Sequence, residues 1–390
     1  MKNIRKITAL ILAVLMVASL CACSSMPKSS KAEWGYKTDA QEYPIGVYIY
    51  SLFSAYNQAY STVSAAQGED FDQEASILDI ESTFDEAVGD QLCLDWVLAE
   101  ADYITKNLIA LDQVIAENGI ELDAELEAAA YEQARKDWHL GSYYEEYMAY
   151  GYAATPYKTM LEPYGVSFES FYQSSYLASV KQNAIFDYFY SKGGTKEVAE
   201  SEMKDYFEDN YTSYSYFTAN LYETTTDATT GETVNKALSE EDQKKAKEDL
   251  ELYVKMIAQG TSFEDVSKMH TAAAELSANP AISNIEDLDN TSLGTEVATA
   301  LKGMKDGEAK VIYVGQTDTT VAYFLYKKPI TQETKTYVAT EANYDALLQE
   351  MKGDEFLDYI DGLTEEVQCT KNESVIADFN PAIFEAELKK

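Results

Sequence analysis

Apolar residues recur at intervals of three and four through the first half of the chain, which is the periodicity of amphipathic helices. One such run begins at Ile45 and a second begins at Leu92. Gly119 follows the second run where a helix C-cap is expected, and Ser167 stands where an N-cap would begin another helix. The pattern therefore predicts an all-helical module over residues 43 to about 190.

The pattern changes after Gly193-Gly194. A short helix is predicted over residues 195–207, and then β-forming residues alternate from 214 to 222, which predicts a strand. The Thr-rich residues 224–233 predict an exposed loop or a hairpin, with Gly231 at the turn.

The segment that follows mixes helices with strands, which indicates an α+β unit. Ser239 is a candidate N-cap for a long helix that Gly260 ends. The further predicted elements of this unit are helices over 263–270 and 296–304 and strands over 311–314 and 320–326. Residues 344–367 are predicted to be helical again, and an extended tail follows to Phe384.

The charge balance excludes nucleic acid as a partner. Lys and Arg number 30 against 67 Asp and Glu, a net charge of −37, and the only arginine beyond Arg5 is Arg135. A protein that binds nucleic acid needs clustered Lys and Arg side chains, which contact the phosphates and release their counterions. Hydrophobic content of 46% and charged content of 25% are ordinary for a globular protein, and 390 residues suffice for two or three domains.

The N-terminus has the form of a secretory leader. A basic segment ending at Lys6 precedes a mainly apolar run over residues 7–20, which favours a signal peptide over a spanning helix. Leu20-Cys21-Ala22-Cys23 resembles the bacterial lipobox, so residues 1–22 are predicted to be removed and Cys23 to be diacylated, with palmitate as a typical acyl group. Two acyl chains, at about 0.8 kcal/mol for each buried methylene, would hold even this acidic protein at a membrane.

Three further cysteines have different expected roles. Cys21 is the poorer lipidation candidate because the bulky Leu20 precedes it. Cys93 and Cys369 could pair in an oxidising compartment, but packing of Cys93 as a small apolar residue on a helix face is the simpler interpretation. The Ser- and Lys-rich residues 24–37 are predicted to form a flexible tether.

Few catalytic or metal-binding constellations are available to this chain. Only two histidines occur, His139 and His270, and the sequence contains no phosphate-binding glycine loop, nucleophile elbow or zinc-protease motif. Glu286, Asp287 and Asp289 could bind calcium weakly, but a solvated acidic loop is favoured because the calcium-binding loop with its central glycine is absent. No cofactor and no metal site are predicted.

Fragments along the chain occur in an order typical of one family. Residues 259–268, Gln-Gly-Thr-Ser-Phe-Glu-Asp-Val-Ser-Lys, fit a Gly-x-x-Phe-x-x-hydrophobic-Ala-Lys stretch, and residues 300–308 fit an Ala-x-x-Leu-x-x-Gly-Glu turn. Residues 198–210 resemble that family's lead into its catalytic domain, and residues 356–363 with Asn380-Pro381 resemble its closing helix and tail. This order resembles the PrsA and SurA type extracytoplasmic foldases, which carry a parvulin, or PpiC-type peptidyl-prolyl isomerase, domain.

The resemblance implies an α+β fold in which a helical chaperone module holds an inserted parvulin-like domain, with three helices on one side of a small sheet. The implied domains are a lipid-anchored tether over 23–40, a helical chaperone module over 41–210, the parvulin-like domain over 211–331, and a C-terminal helix and tail over 332–390 that complete the module. It also implies a lipid-anchored chaperone or foldase on the extracytoplasmic face of a bacterial membrane, whose partners are unfolded or partly folded secreted proteins.

The positions that would carry isomerase catalysis depart from the family's pattern. Active parvulins have a histidine in the first strand and another in the last strand of the domain, where this chain offers Asn220 and either Ala322 or Tyr323. Residues 278–285 replace the family's glycine-rich segment, and His270 falls at the expected end of a small helix. The X-Pro amide rotates over a barrier of about 18–20 kcal/mol, so losing the polar network predicts little or no isomerase activity.

The densest tyrosine cluster is the candidate client-binding surface. Its members are Tyr143, Tyr144, Tyr147, Tyr150 and Tyr152, out of 31 tyrosines in the chain. An aromatic ring with a polar tip suits contact with many partners, but most tyrosines are expected simply to pack. Two alternatives to the chaperone hypothesis stay open, an active peptidyl-prolyl isomerase and a lipoprotein that binds a small solute for a transporter.

Overall fold

The computed structural model describes residues 33–226, 231, 233–273, 281–316 and 318–385. These residues group into two compact units. The first unit combines residues up to 197 with residues from 352 onwards, and the second unit comprises residues 198–351. Helices and separate small antiparallel sheets occur together, so the α+β class predicted from the sequence is confirmed.

The helices of the described residues fall mainly in the first unit. In chain order they are α1 (Ile45–Gln67), α2 (Cys93–Asn118), α3 (Ala124–Leu140), α4 (Tyr144–Ala149), α5 (Tyr157–Leu161), α6 (Phe168–Ser174), α7 (Tyr176–Tyr190), α8 (Glu200–Asn210), α9 (Glu240–Ala258), α10 (Phe263–Ala273), α11 (Thr295–Lys302), α12 (Thr331–Val338), α13 (Glu341–Glu366), α14 (Glu373–Ile376) and α15 (Ala382–Glu385). None of them combines the length and the apolar character needed to cross a bilayer.

The strands are short and all their ladders are antiparallel. They are β1 (Trp34–Lys37), β2 (Glu42–Pro44), β3 (Glu81–Asp85), β4 (Gly89–Leu92), β5 (Thr212–Asn220), β6 (Tyr222–Thr226), β7 (Thr233–Ala237), β8 (Ile282–Glu286), β9 (Ala309–Val314), β10 (Val321–Lys328) and β11 (Thr370–Lys371).

The core of the first unit lies between α1 and α2. Both helices carry a continuous apolar face, on which Leu52, Val97 and Ile109 are fully buried. The predicted C-cap at Gly119 is confirmed, since this residue adopts the left-handed conformation that favours glycine. Burial of such side chains contributes about 1.5–3 kcal/mol each, which makes this helix pair the main stabilising contact of the unit.

The prediction of an all-helical module is wrong for the first unit. The strands β11, β1 and β2 form one sheet in that order, and β3 pairs with β4 in another. Residues 34–37, predicted as the end of a flexible tether, form β1 with Tyr36 almost completely buried. The predicted extended tail is also wrong, because it contains β11, α14 and α15. Strands of two to five residues are too short to show an alternating pattern in the sequence.

A four-stranded sheet with the order β8-β5-β10-β9 organises the second unit. Helices α9 and α10 pack on one face, around Phe217 and Phe324, and α11 packs on the other face, around Leu325. The predicted placement of three helices on one side is therefore wrong. Side chains alternate along a strand, and β5 and β10 carry apolar residues on both faces. The edge strand β8 is additional to the predicted strands.

Several predicted boundaries of the second unit are confirmed. Ser239 caps α9, and its hydroxyl accepts a hydrogen bond from the Asp242 backbone N–H at 3.1 Å. At the two ends of the Thr-rich segment, β6 and β7 pair as an antiparallel ladder in which Tyr222 lies opposite Ala237, and Gly231 has a positive φ of 73°. This ladder is largely exposed along both strands.

Candidate functional site

The tyrosine cluster lies on a loop that leaves α3 and returns to it. We define residues 142–154 as the aromatic loop, which contains the short helix α4. Tyr150 is 80% exposed and Tyr152 is 66% exposed, and Tyr143, Tyr147 and Met148 are exposed as well. Tyr144 is half-buried. The structure therefore presents most of the predicted cluster to solvent within one loop.

The two ends of the aromatic loop touch each other at its base. Gly141 ends α3 with a positive φ of 91°, and a Cβ atom there would lie 2.6 Å from the carbonyl oxygen of Thr155. Only glycine allows both the backbone conformation and this close approach. The Gly141 N–H donates to the Asp137 carbonyl at 2.9 Å, which fixes the base to the last turn of α3.

A buried carboxylate anchors this base. Asp137 is 4% exposed and accepts hydrogen bonds from Gln133 Nε2 at 2.9 Å and from Ser142 Oγ at 3.2 Å. The hydroxyl of Tyr176 on α7 also donates to Asp137. Burial raises the pKa of the nearby Tyr157 to about 12, so this phenol stays neutral. Each donor offsets part of the cost of burying a carboxylate.

The interior of the aromatic loop is ordered by its own backbone. The Tyr147 N–H donates to the Tyr143 carbonyl at 2.9 Å, and the Tyr152 N–H donates to the Tyr147 carbonyl at 2.8 Å. Tyr143 has a φ of 55° and is the only residue other than glycine with a positive φ in the described part of the chain. This conformation costs about 1–2 kcal/mol for a residue with a Cβ atom.

Carboxylates accompany the exposed rings of the loop. Glu145 pairs with Lys136 of α3 at 3.0 Å, and Glu146 is exposed to solvent. Arg135, the only arginine among the described residues, pairs with Glu132 on the same helix at 2.7 Å. The surface at this loop therefore combines aromatic rings with an excess of negative charge.

The structure places the predicted isomerase positions on both faces of the sheet. Asn220 is exposed at the end of β5, opposite Val321. Tyr323 lies opposite Thr218 on the same face as Asn220, with its ring 5.9 Å from that of Tyr216. Ala322 is fully buried on the other face, against α9 and α10. Asn220 and Tyr323 thus share a face, and Ala322 does not.

His270 lies beneath the sheet on the face of Ala322. Its ring stacks on Phe217 at 4.4 Å between centroids, and its Nε2 atom is buried without a hydrogen-bond partner. Burial lowers the pKa of His270, and a hydrogen bond to the Thr218 backbone partly opposes this. The sequence contains a signal for this placement, because Phe263, Val266 and His270 follow a helical spacing on α10.

The acidic residues considered for calcium are engaged within the second unit. Glu286 accepts hydrogen bonds from the hydroxyls of Tyr214 and Thr291, the latter at 2.8 Å. Asp289 pairs with Lys302, and Asp287 accepts from the Asp289 backbone N–H at 2.8 Å. Across the described ranges, no group of three or more His, Cys, Asp or Glu side chains is placed to hold a metal ion.

The cysteines divide between described and undescribed parts of the chain. The predicted lipidation site Cys23 lies outside the described residues, as does Cys21. Cys93 is a buried free thiol at the start of α2, and Cys369 is a half-buried free thiol. Burial raises the pKa of Cys93 to about 12, which is the behaviour of an inert core thiol.

Comparison with known proteins gives few similarities. No family model matches the chain, and no curated protein matches it. A solved structure of the foldase protein PrsA from Streptococcus pneumoniae str. Canada MDR_19A is similar, with 16% identity over 71% of this chain and 90% of that chain and a TM-score of 0.33. PrsA from Bacillus subtilis is similar with 13% identity over 90% of this chain and 99% of that chain and a TM-score of 0.23.

Proposed function

We propose that this protein is an extracytoplasmic chaperone for unfolded or partly folded secreted proteins, and that the aromatic loop is its client-binding surface. The observation that supports this most is the exposure of Tyr143, Tyr147, Met148, Tyr150 and Tyr152 on a loop with a fixed base. Exposed apolar groups of this kind typically mark an interaction site. Tyrosine contributes contact area with little loss of side-chain entropy, which suits binding to many different chains.

The backbone of Tyr143 supports a role in binding rather than in packing. A glycine or asparagine would adopt a φ of 55° more easily, yet the chain places a large exposed ring there. Backbone strain of this kind persists where surrounding contacts maintain it, and it is frequent at binding sites. The Asp137 network at the base of the loop supplies such contacts.

Residues 211–331, which lie within the second unit, are proposed to form a parvulin-like domain without isomerase activity. Asn220 does not titrate near neutral pH, Ala322 has no polar atom, and Tyr323 cannot replace a paired imidazole. The imidazole of His270 lies on the opposite face from Asn220 and Tyr323. A proline tetrapeptide assay tests this proposal, since no acceleration of cis-to-trans conversion above background is expected.

The sheet topology disfavours the solute-binding alternative. Solute-binding proteins of transporters are built from α/β lobes with parallel strands. In the part of the chain that the structure describes, all strand ladders are antiparallel and no repeated βα unit occurs. Attachment to the extracytoplasmic face of the membrane through Cys23 is proposed from the sequence motif alone.

An aggregation assay tests the chaperone proposal. A refolding secreted enzyme is followed by light scattering in the presence of the protein or of the triple variant Tyr147→Ser, Tyr150→Ser, Tyr152→Ser. The unaltered protein should suppress scattering, and the triple variant should require several-fold more protein for the same suppression. A matched control replaces three exposed apolar residues of the second unit, Val234→Ser, Leu252→Ser and Ile282→Ser. Equal loss in both variants would contradict a client site at the loop.

A further inference from the structure

We infer that the aromatic loop selects extended polypeptide segments that are cationic, in which Lys or Arg residues flank aromatic or aliphatic ones. This inference rests on the proposed function and adds the chemistry of the client. Two observations support it, the negative charge of the loop and the exposure of its tyrosine rings, over which no described cation lies.

The aromatic loop itself is acidic. Residues 142–154 contain Glu145 and Glu146 and no Lys or Arg. The two cations in the last turns of α3 are already paired, Arg135 with Glu132 and Lys136 with Glu145. Glu146 is exposed and forms no ion pair with a described residue. A client that brings its own cations would therefore find a carboxylate without a competing partner.

The tyrosine faces add a second reason to favour cations. Elsewhere in the protein, ammonium groups lie over aromatic rings, as Lys247 does over Tyr313 at 5.3 Å and Lys196 over Phe189 at 5.1 Å. No described cation lies over the rings of the aromatic loop. A cation over an exposed ring is worth about 0.5–1 kcal/mol, so several such contacts favour Lys- or Arg-bearing segments.

The net charge of the whole molecule also favours cationic clients, and it acts at longer range than the contacts of the loop. A net charge of −37 attracts cationic chains and repels anionic ones before contact, and this raises the association rate for the former. It also opposes docking of the loop on a bilayer with anionic headgroups. The geometry and the charge therefore point to a cationic polypeptide rather than a lipid surface as the occupant.

Peptide binding to the full chain tests the inference. Three fluorescent peptides share one apolar sequence with two tyrosines and two leucines and differ only in four flanking residues, which are Lys, Ser or Glu. At low salt the Lys peptide should bind at least tenfold more tightly than the Glu peptide, with the Ser peptide between them. At 0.5 M salt the difference should shrink to about threefold or less, because the Debye length falls to only a few ångströms.

A charge-matched pair of variants locates the effect. Glu145→Gln and Glu146→Gln together should reduce the preference for the Lys peptide at least threefold. Glu251→Gln and Glu264→Gln change the net charge equally within the second unit and should leave the preference nearly unchanged. An equal loss in both variants would overturn the inference, since it would assign the preference to net charge and not to the loop.

The outcomes separate this inference from the proposed function. Equal binding of all three peptides, abolished by the Tyr147, Tyr150 and Tyr152 serine variant, would overturn the cationic preference and leave the chaperone proposal standing. No binding of any peptide would count against the proposed function itself. Binding of the protein to anionic vesicles through the loop, with no binding of the Lys peptide, would also overturn the inference.

Discussion

Hydrogen bonds from tyrosine to carboxylate are the recurring contact at the scale of single residues. In each of them a phenol hydroxyl donates to an Asp or Glu side chain. The pairs are Tyr36–Asp102, Tyr43–Asp112, Tyr103–Asp361, Tyr176–Asp137, Tyr190–Glu355, Tyr211–Glu350 and Tyr214–Glu286. Tyrosine therefore supplies the hydrogen-bond donors to carboxylates that arginine often supplies in other proteins, since Arg135 is the only arginine among the described residues.

These pairs also keep the phenols neutral. Burial, together with the hydrogen bond to Glu355, raises the pKa of Tyr190 to about 12. Burial and the Asp137 carboxylate together raise the pKa of Tyr176 well above its ordinary range. Because a neutral phenol donates without carrying charge, an acidic protein can satisfy buried carboxylates with it.

Removing one such donor should lower stability measurably. Tyr176→Phe deletes a hydrogen bond to the buried Asp137, and hydrogen bonds to charged groups are worth about 1.5–3 kcal/mol. We expect the free energy of unfolding in urea to fall by about 2 kcal/mol. Tyr150→Phe serves as the control, because Tyr150 is 80% exposed and should change stability by less than about 0.5 kcal/mol. Equal effects of the two changes would contradict the anchoring role of Tyr176.

His270 should make the second unit less stable in mild acid. Burial lowers its pKa in the folded protein below the ordinary value of 6.5, so the unfolded chain binds the proton more readily. Stability is therefore full above pH 6.5 and declines as the pH falls toward the folded pKa, by at most about 1.4 kcal/mol per pH unit. In His270→Phe this part of the pH dependence should disappear. Urea unfolding at pH 7.5, 6.5 and 5.5 measures it, and an unchanged slope in the variant would refute the assignment.

Two substitutions of Tyr143 should separate strain from binding. Tyr143→Ala keeps the positive φ and removes the ring, whereas Tyr143→Gly removes both the ring and the strain. We expect the glycine variant to be more stable than the alanine variant by about 1 kcal/mol, and both to suppress client aggregation less well than the unaltered protein. Thermal melting and light scattering measure the two effects. If the glycine variant kept full activity, the Tyr143 ring would have no part in binding.

At the scale of elements, predictability follows length and locality. The helix α9 could be predicted with its cap at Ser239, because nineteen residues at a regular spacing and one capping side chain determine it locally. The pairing of β1 with β11 could not be predicted, because Tyr36 and its partner Lys371 lie near opposite ends of the chain. A strand of two residues such as β11 is also too short to show an alternation of apolar and polar positions.

In the candidate site, too, the features set by neighbouring residues could be predicted and those set by distant contacts could not. The tyrosine cluster is visible in the sequence because its members are neighbours. Its anchoring is not, because Asp137 meets Tyr176 only through the packing of α3 against α7. The separation of Ala322 from Asn220 was equally beyond a single sequence, since only the register of β5 against β10 decides which face each side chain occupies.

At the scale of the whole molecule, the proposed membrane attachment would depend on the N-terminal segment rather than on surface charge. A net charge of −37 repels anionic headgroups, so acyl chains on Cys23 are the proposed anchor. Cys23→Ser should therefore abolish incorporation of radiolabelled palmitate and shift the protein out of the membrane fraction. Cys21→Ser, two residues away, should leave both measurements unchanged. Equal labelling of the Cys23→Ser protein would exclude the predicted lipobox.

The first unit should fold without the second. Near the point where its two segments meet, Lys196 pairs with Glu355 at 3.6 Å and the Lys352 ammonium lies 5.9 Å from the Tyr190 ring centre. Replacing residues 198–351 by a short Gly-Ser linker should therefore give a cooperative thermal transition and retain aggregation suppression. The corresponding control deletes residues 352–385 instead and should lose cooperative melting. A broad, noncooperative transition of the first variant would contradict an independent unit.

The pairing of β1 with β11 has a consequence for the order in which the chain is completed during synthesis. The first unit contains the N-terminal strand, yet Asp102 binds both Tyr36 at 2.6 Å and Lys371 at 2.5 Å, and Phe384 packs its ring 5.4 Å from that of Phe53. A ribosome delivers residues 198–351 as one continuous stretch before it delivers these last partners. The unit that bears the aromatic loop therefore closes last, and a product stopped short of residue 370 would leave the Phe53 and Tyr56 rings of α1 without their contacts to Phe384 and expose apolar surface that the complete chain covers.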